Sequence, residues 1–252
     1  MFTPSRYIPS WFLMITLVTL AGCAEEGGLV GPEELESSAL ARGGRGGSGG
    51  APRVENFRSW DMTEWIARDH FLGRGEFEPE NVSHRNGKLH LTLPAHTYNG
   101  GEIQSASRVR FRDIEVRLRT PDAPGTISTF FLYQLVPGIE NDEIDIEIFN
   151  DGSRQIWFTT WVAGVETNHE EYTLPFDPAA RFHDYRIEWS RRRVRFLVDG
   201  VPMQEFTKRV PRKAMYVFSS AWWPSWLPEP APAPPPPLLN SDRRHQIDRI
   251  IY

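Results

Sequence analysis

Cysteine is almost absent from this chain. Cys23 is the only one in 252 residues, so an intrachain disulfide and a zinc site built on several thiolates are both excluded. Positive charge is not in excess either. With 28 Lys and Arg against 33 Asp and Glu, the formal net charge is -5, which argues against nucleic acid and other partners held through phosphates. The apolar run from Ile8 through Leu20 is too short for a comfortable membrane span. Long helical periodicity is missing, and the histidines show neither H-E-x-x-H nor paired ligand spacing, which removes a catalytic metal from the expectations.

What is present is short alternation. From about Val54 onward, apolar residues recur at every second position in brief segments broken by turns. Leu89, Leu91 and Leu93 follow this pattern, as do Ile114, Val116 and Leu118 against Glu115, Arg117 and Arg119. Tyr185, Ile187 and Trp189 pair with Val194, Phe196 and Val198 across Ser190-Arg191-Arg192-Arg193, which reads as a solvated turn. Asp199-Gly200 is a tight hairpin signal, and 246–252 reads as a closing strand. The expected fold is all-β, an antiparallel sandwich or jelly roll. Proline is concentrated in 227–237, which must be an extended surface loop because proline cannot donate to a ladder.

The first 53 residues differ in composition. Arg6 and the apolar run form a secretory-type signal over 1–22. Leu20-Ala21-Gly22-Cys23 resembles the lipobox of bacterial lipoproteins, which implies cleavage before Cys23 and acylation of the new terminus. Residues 23–53, rich in Gly, Glu and Ser, then serve as a flexible tether, and 54–252 as the globular domain. Export to the cell envelope on a lipid anchor, with the outer membrane as one destination, and a monomeric state are the corresponding expectations.

One segment carries chemistry. In Glu143-Ile144-Asp145-Ile146-Glu147, alternation sends three carboxyls to one face and the isoleucines to the other. Strand positions four apart have Cα atoms roughly 13 Å apart. Two glutamates leaning together can bring their carboxyls to about 5 to 5.5 Å, the separation a retaining glycosidase needs. Asp145 between them would push their pKa values apart. The bland alternative is a solvated edge strand.

The run 142–149 resembles the catalytic strand of glycoside hydrolase family 16. Gly87-Lys88-Leu89-His90-Leu91, Tyr98 to Ser105, Ser128 to Tyr133, Phe182 to Trp189 and Val198-Asp199-Gly200 resemble family landmarks in order and spacing, over about 56–252. The resemblance implies a concanavalin A-like jelly roll of two curved antiparallel sheets with a polysaccharide cleft across one face. It implies Glu143 as nucleophile, ionised; Glu147 as general acid then base, with a raised pKa; and Asp145 as assistant. Without the bulge residue of laminarinase-like members, the motif is similar to bacterial lichenases and plant xyloglucan transglycosylases, so a retaining endo-β-glucanase is the first expectation. A transglycosylase on the same triad and a noncatalytic surface glycan-binding protein are the alternatives.

The same resemblance implies that Glu102 binds sugar. It places Asn141 where lichenases carry Trp, Gln104 where they carry Arg, and Ser220 where they carry Asn. Phe131, Tyr133, Trp157 and Trp222 are candidates for stacking on sugar rings, with Trp222 and Phe131 favoured over Trp161, Trp223 and Trp226. No cofactor is required for catalysis. A structural calcium, carried over from the family, would use Asp248 and a backbone oxygen near Gly87, since oxygen ligands suit that ion.

Overall fold

A computed structural model describes residues 52–58, 63–227 and 235–252. The signal, Cys23, nearly all of the tether and most of the proline-rich stretch lie outside them. The described chain forms β1 (Val54–Glu55), β2 (Trp65–Ala67), β3 (His70–Leu72), β4 (Gly75–Phe77), β5 (Val82–Arg85) and β6 (Lys88–Leu93). It continues as β7 (Gly101–Ser105), β8 (Asp113–Arg119), β9 (Ile127–Tyr133), β10 (Glu143–Phe149), β11 (Gln155–Val162) and β12 (Val165–Thr173). The remainder is β13 (His183–Trp189), β14 (Val194–Val198), β15 (Val201–Phe206), β16 (Tyr216–Trp222) and β17 (Arg243–Ile251). Among the described residues the helical content is the 3-10 turn Pro79–Asn81.

Two antiparallel sheets make the expected jelly roll. One has eight strands, ordered β15-β14-β13-β8-β17-β6-β5 with β1 on β17; the other has seven, ordered β12-β11-β10-β9-β16-β7-β2. Their inner faces meet in one core. Leu89, Leu91, Leu93, Ile114, Val116 and Leu118 from the first sheet, and Phe130, Leu132, Ile144, Ile146 and Ile148 from the second, are all 0% exposed. Each such side chain contributes about 1.5–3 kcal/mol through removal from water. A slip of one residue in β10 would drive three carboxyls into this core, so hydrophobic burial fixes the register that the chemistry needs.

The turns follow local rules. Asp199 and Gly200 both take positive φ, 49° and 77°, the geometry of the two-residue hairpin read from the sequence. Asp199 Oδ2 lies 2.6 Å from Nδ1 of the buried His183, and Oδ1 accepts from the Asp184 amide at 3.0 Å. Gly100 is needed for a close approach: a Cβ there would sit 2.3 Å from the Ala221 carbonyl oxygen. That approach sets β7, and with it Glu102, against β16.

Candidate active site

Period-two geometry assembles the site. On β10, Ile144, Ile146 and Ile148 are fully buried while Glu143 and Glu147 are half-buried and Asp145 is buried on the opposite, outer face. The register places Tyr133, Phe131 and Thr129 of β9 beside Glu143, Asp145 and Glu147 in turn. On the other side stand Trp161, Thr159 and Trp157 of β11. Beyond β9 the row continues through Tyr216, Phe218, Ser220 and Trp222 of β16 to Gln104 and Glu102 of β7. Six expected residues, Glu102, Gln104, Phe131, Tyr133, Trp157 and Trp222, thus share a face with the three acids.

The carboxyls perturb one another. Burial is the largest cause of the shift at each; it raises Glu143 to about 8 and Glu147 to about 7, and it lifts Asp145 well above its ordinary range. Asp145 and Glu143 are joined by a hydrogen bond that favours charge on Glu143 and the proton on Asp145. The Trp161 indole donates to Asp145 from the facing strand and opposes part of the rise. The raised pKa expected of Glu147 is accompanied by a rise at Glu143, whose charged form the Asp145 hydrogen bond favours. Desolvation acts on all three and raises each of them.

Polar partners hold the surrounding side chains. Glu102, 3% exposed, receives His70 Nε2 at 3.0 Å, with Arg68 Nε 3.8 Å away. Gln104 Oε1 is buried without a hydrogen-bond partner among the described residues. Thr129 Oγ1 and Ser220 Oγ lie 2.5 Å apart, and Thr159 Oγ1 meets His169 Nδ1 at 3.0 Å. Phe131 stacks on Phe218 at 4.8 Å and 15°, so one of its faces is already covered.

Three expectations change. Asn141 sits in the loop before β10 with its amide engaged: Oδ1 accepts from Val136 N at 2.8 Å, and Nδ2 donates to Tyr133 Oη, Val136 O and Ile139 O. It shapes the loop and steadies Tyr133 instead of presenting a free amide. Trp222, like Trp157, is only 6% exposed, packed in a second apolar cluster with Phe77, Ile127, Phe149 and Leu227. The ring open to partial contact at this end is Trp226, half-buried and stacked on Trp157 at 5.4 Å and 13°. Arg74 clasps that loop by donating to the carbonyls of Ser225 and Leu227 at 3.1 and 2.8 Å.

The third change concerns calcium. Asp248 is 2.9 Å from Lys88 Nζ and 3.8 Å from both Arg117 and Arg249. Three cationic groups around one carboxylate do not fit a divalent ion at Asp248 and Gly87. Among the described residues no cluster of three or more His, Cys, Asp or Glu could hold a metal.

The sequence reading missed Thr129, Thr159, Tyr216 and Phe218, and the His70–Arg68 pair on Glu102. Alternation in Tyr216 to Trp222 could have found the first row, had the face of β16 been fixed from Ser220. The contacts of Glu102 come from segments more than thirty residues away in sequence and leave no local signal.

A strand carrying an alternating carboxyl row on the open face of a jelly roll has the form of a two-carboxyl glycosidase site. The chain belongs to glycosyl hydrolases family 16, whose sequence profile matches residues 74–232. A beta-glucanase of Acetivibrio thermocellus is 30% identical over 181 residues, 68% of this chain and 54% of that protein. The xyloglucan endotransglucosylase/hydrolase protein 22 of Arabidopsis thaliana is 31% identical over 162 residues, 60% of this chain and 54% of its own. The chain thus spans about half the length of these relatives. Among solved structures, the Bacillus licheniformis beta-glucanase superposes with a TM-score of 0.71 at 22% identity, covering 81% of this chain and 99% of that one, a likeness of fold.

Proposed function

We propose that the domain is a retaining endo-hydrolase of a β-glucan, working by double displacement on Glu143 and Glu147. The observation that carries this reading is the common face of the two glutamates on β10, with Asp145 bonded to Glu143 between them. In the first step a Glu143 oxygen attacks the anomeric carbon, the bond to the departing sugar breaks, and the proton of Glu147 passes to the leaving oxygen. Asp145 keeps its proton and donates to Glu143, which steadies the carboxylate before attack and again when it is released. In the second step water attacks the glycosyl ester, Glu147 takes its proton, and Glu143 leaves. No cofactor enters either step.

Incubation with mixed-linkage glucan, laminarin and xyloglucan, with sizing of products and proton NMR of the first reducing ends, tests the reading. Internal cleavage with net retention is expected; inverted products or inertness on every β-glucan would contradict it.

A second reading passes the glycosyl group to another sugar instead of water. Its support is the similarity to plant proteins named as xyloglucan endotransglucosylases, 31% and 32% identical. Products longer than the starting oligosaccharide would favour it. For the whole protein, we propose export and attachment to the cell envelope through Cys23. Metabolic labelling with a fatty acid, lost in Cys23→Ala, is the test.

A further inference from the structure

The row that ends at Glu143 abuts a concentration of unneutralised positive charge. Residues 106–112 contain Arg108, Arg110 and Arg112, and 207–213 contain Lys208, Arg209, Arg212 and Lys213, with no acid in either segment. The two segments are tied together: Val109 and Met215 exchange backbone hydrogen bonds at 2.7 and 2.9 Å, and Arg110 Nε donates to the Arg212 carbonyl at 2.9 Å. All but Arg112 are exposed. None of these cations enters an ion pair among the described residues, whereas Arg117, Arg186, Arg193, Arg195 and Arg249 all do. In a chain of net charge -5, seven such cations on two segments joined by hydrogen bonds need a counter-charge.

Their position names the counter-charge. The Arg108 guanidinium lies 4.7 Å from the centroid of the Tyr216 ring, and Tyr216 is in register with Tyr133, which faces Glu143. Stacking on a ring leaves the N–H groups of Arg108 free to bind. The backbone amides of Arg212 and Lys213 donate to Asp142, the residue before Glu143, at 2.9 and 3.2 Å. The backbone at 212–213 is therefore tied to the residue that precedes the acid-bearing strand, and Arg108 is the cation set on the ring row that leads to Glu143.

We propose that this patch binds acidic substituents, carboxylate or sulfate, on the same glycan strand that lies across Glu143 and Glu147. The inference rests on the glycan-hydrolase reading and deepens it: the preferred polymer is a β-linked glycan bearing anionic groups. An anionic lipid surface has the same charge chemistry, but the contact of Arg108 with Tyr216 sets that cation on the row that leads to Glu143 and favours the glycan.

The test compares KM on mixed-linkage glucan with KM on the same glucan partly carboxymethylated, for the full chain and for Arg108→Gln/Lys213→Gln, at low and high NaCl. At low salt the native chain is expected to show a KM about fivefold lower for the charged polymer, the scale of a few exposed charge contacts. The ratio should fall toward one in high salt, where such contacts are screened. It should fall toward one in the variant as well. Equal KM values in the native chain, or a ratio that the variant leaves intact, would overturn the proposal. So would loss, in the variant alone, of sedimentation with phosphatidylglycerol vesicles while the polymer ratio stays unchanged.

Failure of the hydrolase reading is distinguishable. If neither polymer is cleaved, salt-sensitive retention on immobilised carboxymethyl glucan that the variant loses still supports the patch. Cleavage without charge preference removes the patch alone.

Discussion

Asp145 donates a hydrogen bond to Glu143 two positions away on the same strand face, and burial holds both carboxyls above their ordinary range. The proposed double displacement needs Glu143 ionised and Glu147 protonated, yet Glu143 is raised to about 8 and Glu147 to about 7. The pH profile of kcat/KM should therefore be a narrow bell whose apparent pKa values belong to the coupled set and fall near 7 and 8. Stopped assays from pH 4 to 10 check this. An optimum below pH 5 would contradict it.

Stability should carry the opposite signature to that of a salt-bridged acid. Between the unfolded value of 4.5 and the folded value of about 7, the native state holds a proton on Glu147 that the unfolded chain releases. That contribution is fully present below about 4.5 and is lost as pH climbs through 7; Glu143 behaves likewise up to about 8. The Tm of Glu143→Gln/Glu147→Gln should change less from pH 5 to 8 than that of the native domain. Identical slopes in calorimetry would contradict the buried-acid account.

Arg74 and Trp226 should act together on binding. Arg74→Ala removes two bonds to the carbonyls that set Trp226 on Trp157, and Trp226→Ala removes the ring itself. Each is expected to raise KM roughly three- to tenfold with kcat within about twofold, as loss of uniform binding does. A double variant no worse than either single one would place both in one unit. Full loss of kcat with KM unchanged would contradict the assignment.

Calcium and chelators should leave the domain unmoved. Lys88 donates to Asp248 at 2.9 Å, with Arg117 and Arg249 close by, so charge at that carboxylate is already balanced. Scanning calorimetry with 5 mM EDTA or 5 mM CaCl2 should give the same Tm, and a rise of several degrees with calcium would contradict this.

Much of this site could be read from the sequence because period two is a local property. The alternation of Glu143, Asp145 and Glu147 with three isoleucines fixes which side each faces, and the core enforces it. Asp199-Gly200 likewise carries its turn geometry within two residues. The fate of Trp222 could not be read that way. Alternation puts it on the outer face, but Phe77 and the adjoining Leu72 from other strands, with Trp226 and Leu227 of the loop that folds back after β16, bury it there. The surroundings of Asp248 are equally non-local: its neighbours Lys88 and Arg117 lie on other strands, brought close by sheet pairing. The rise of all three carboxyls depends on three-dimensional desolvation, which no spacing rule encodes.

The most direct measurement is to trap the covalent intermediate. A 2-deoxy-2-fluoro β-glucosyl donor slows both steps, and a good leaving group lets the first proceed. Intact mass followed by peptide mapping is expected to show one glycosyl ester, on Glu143, absent from Glu143→Gln. An ester on another residue, or inactivation-free turnover with no adduct at any pH between 5 and 9, would contradict double displacement on this strand.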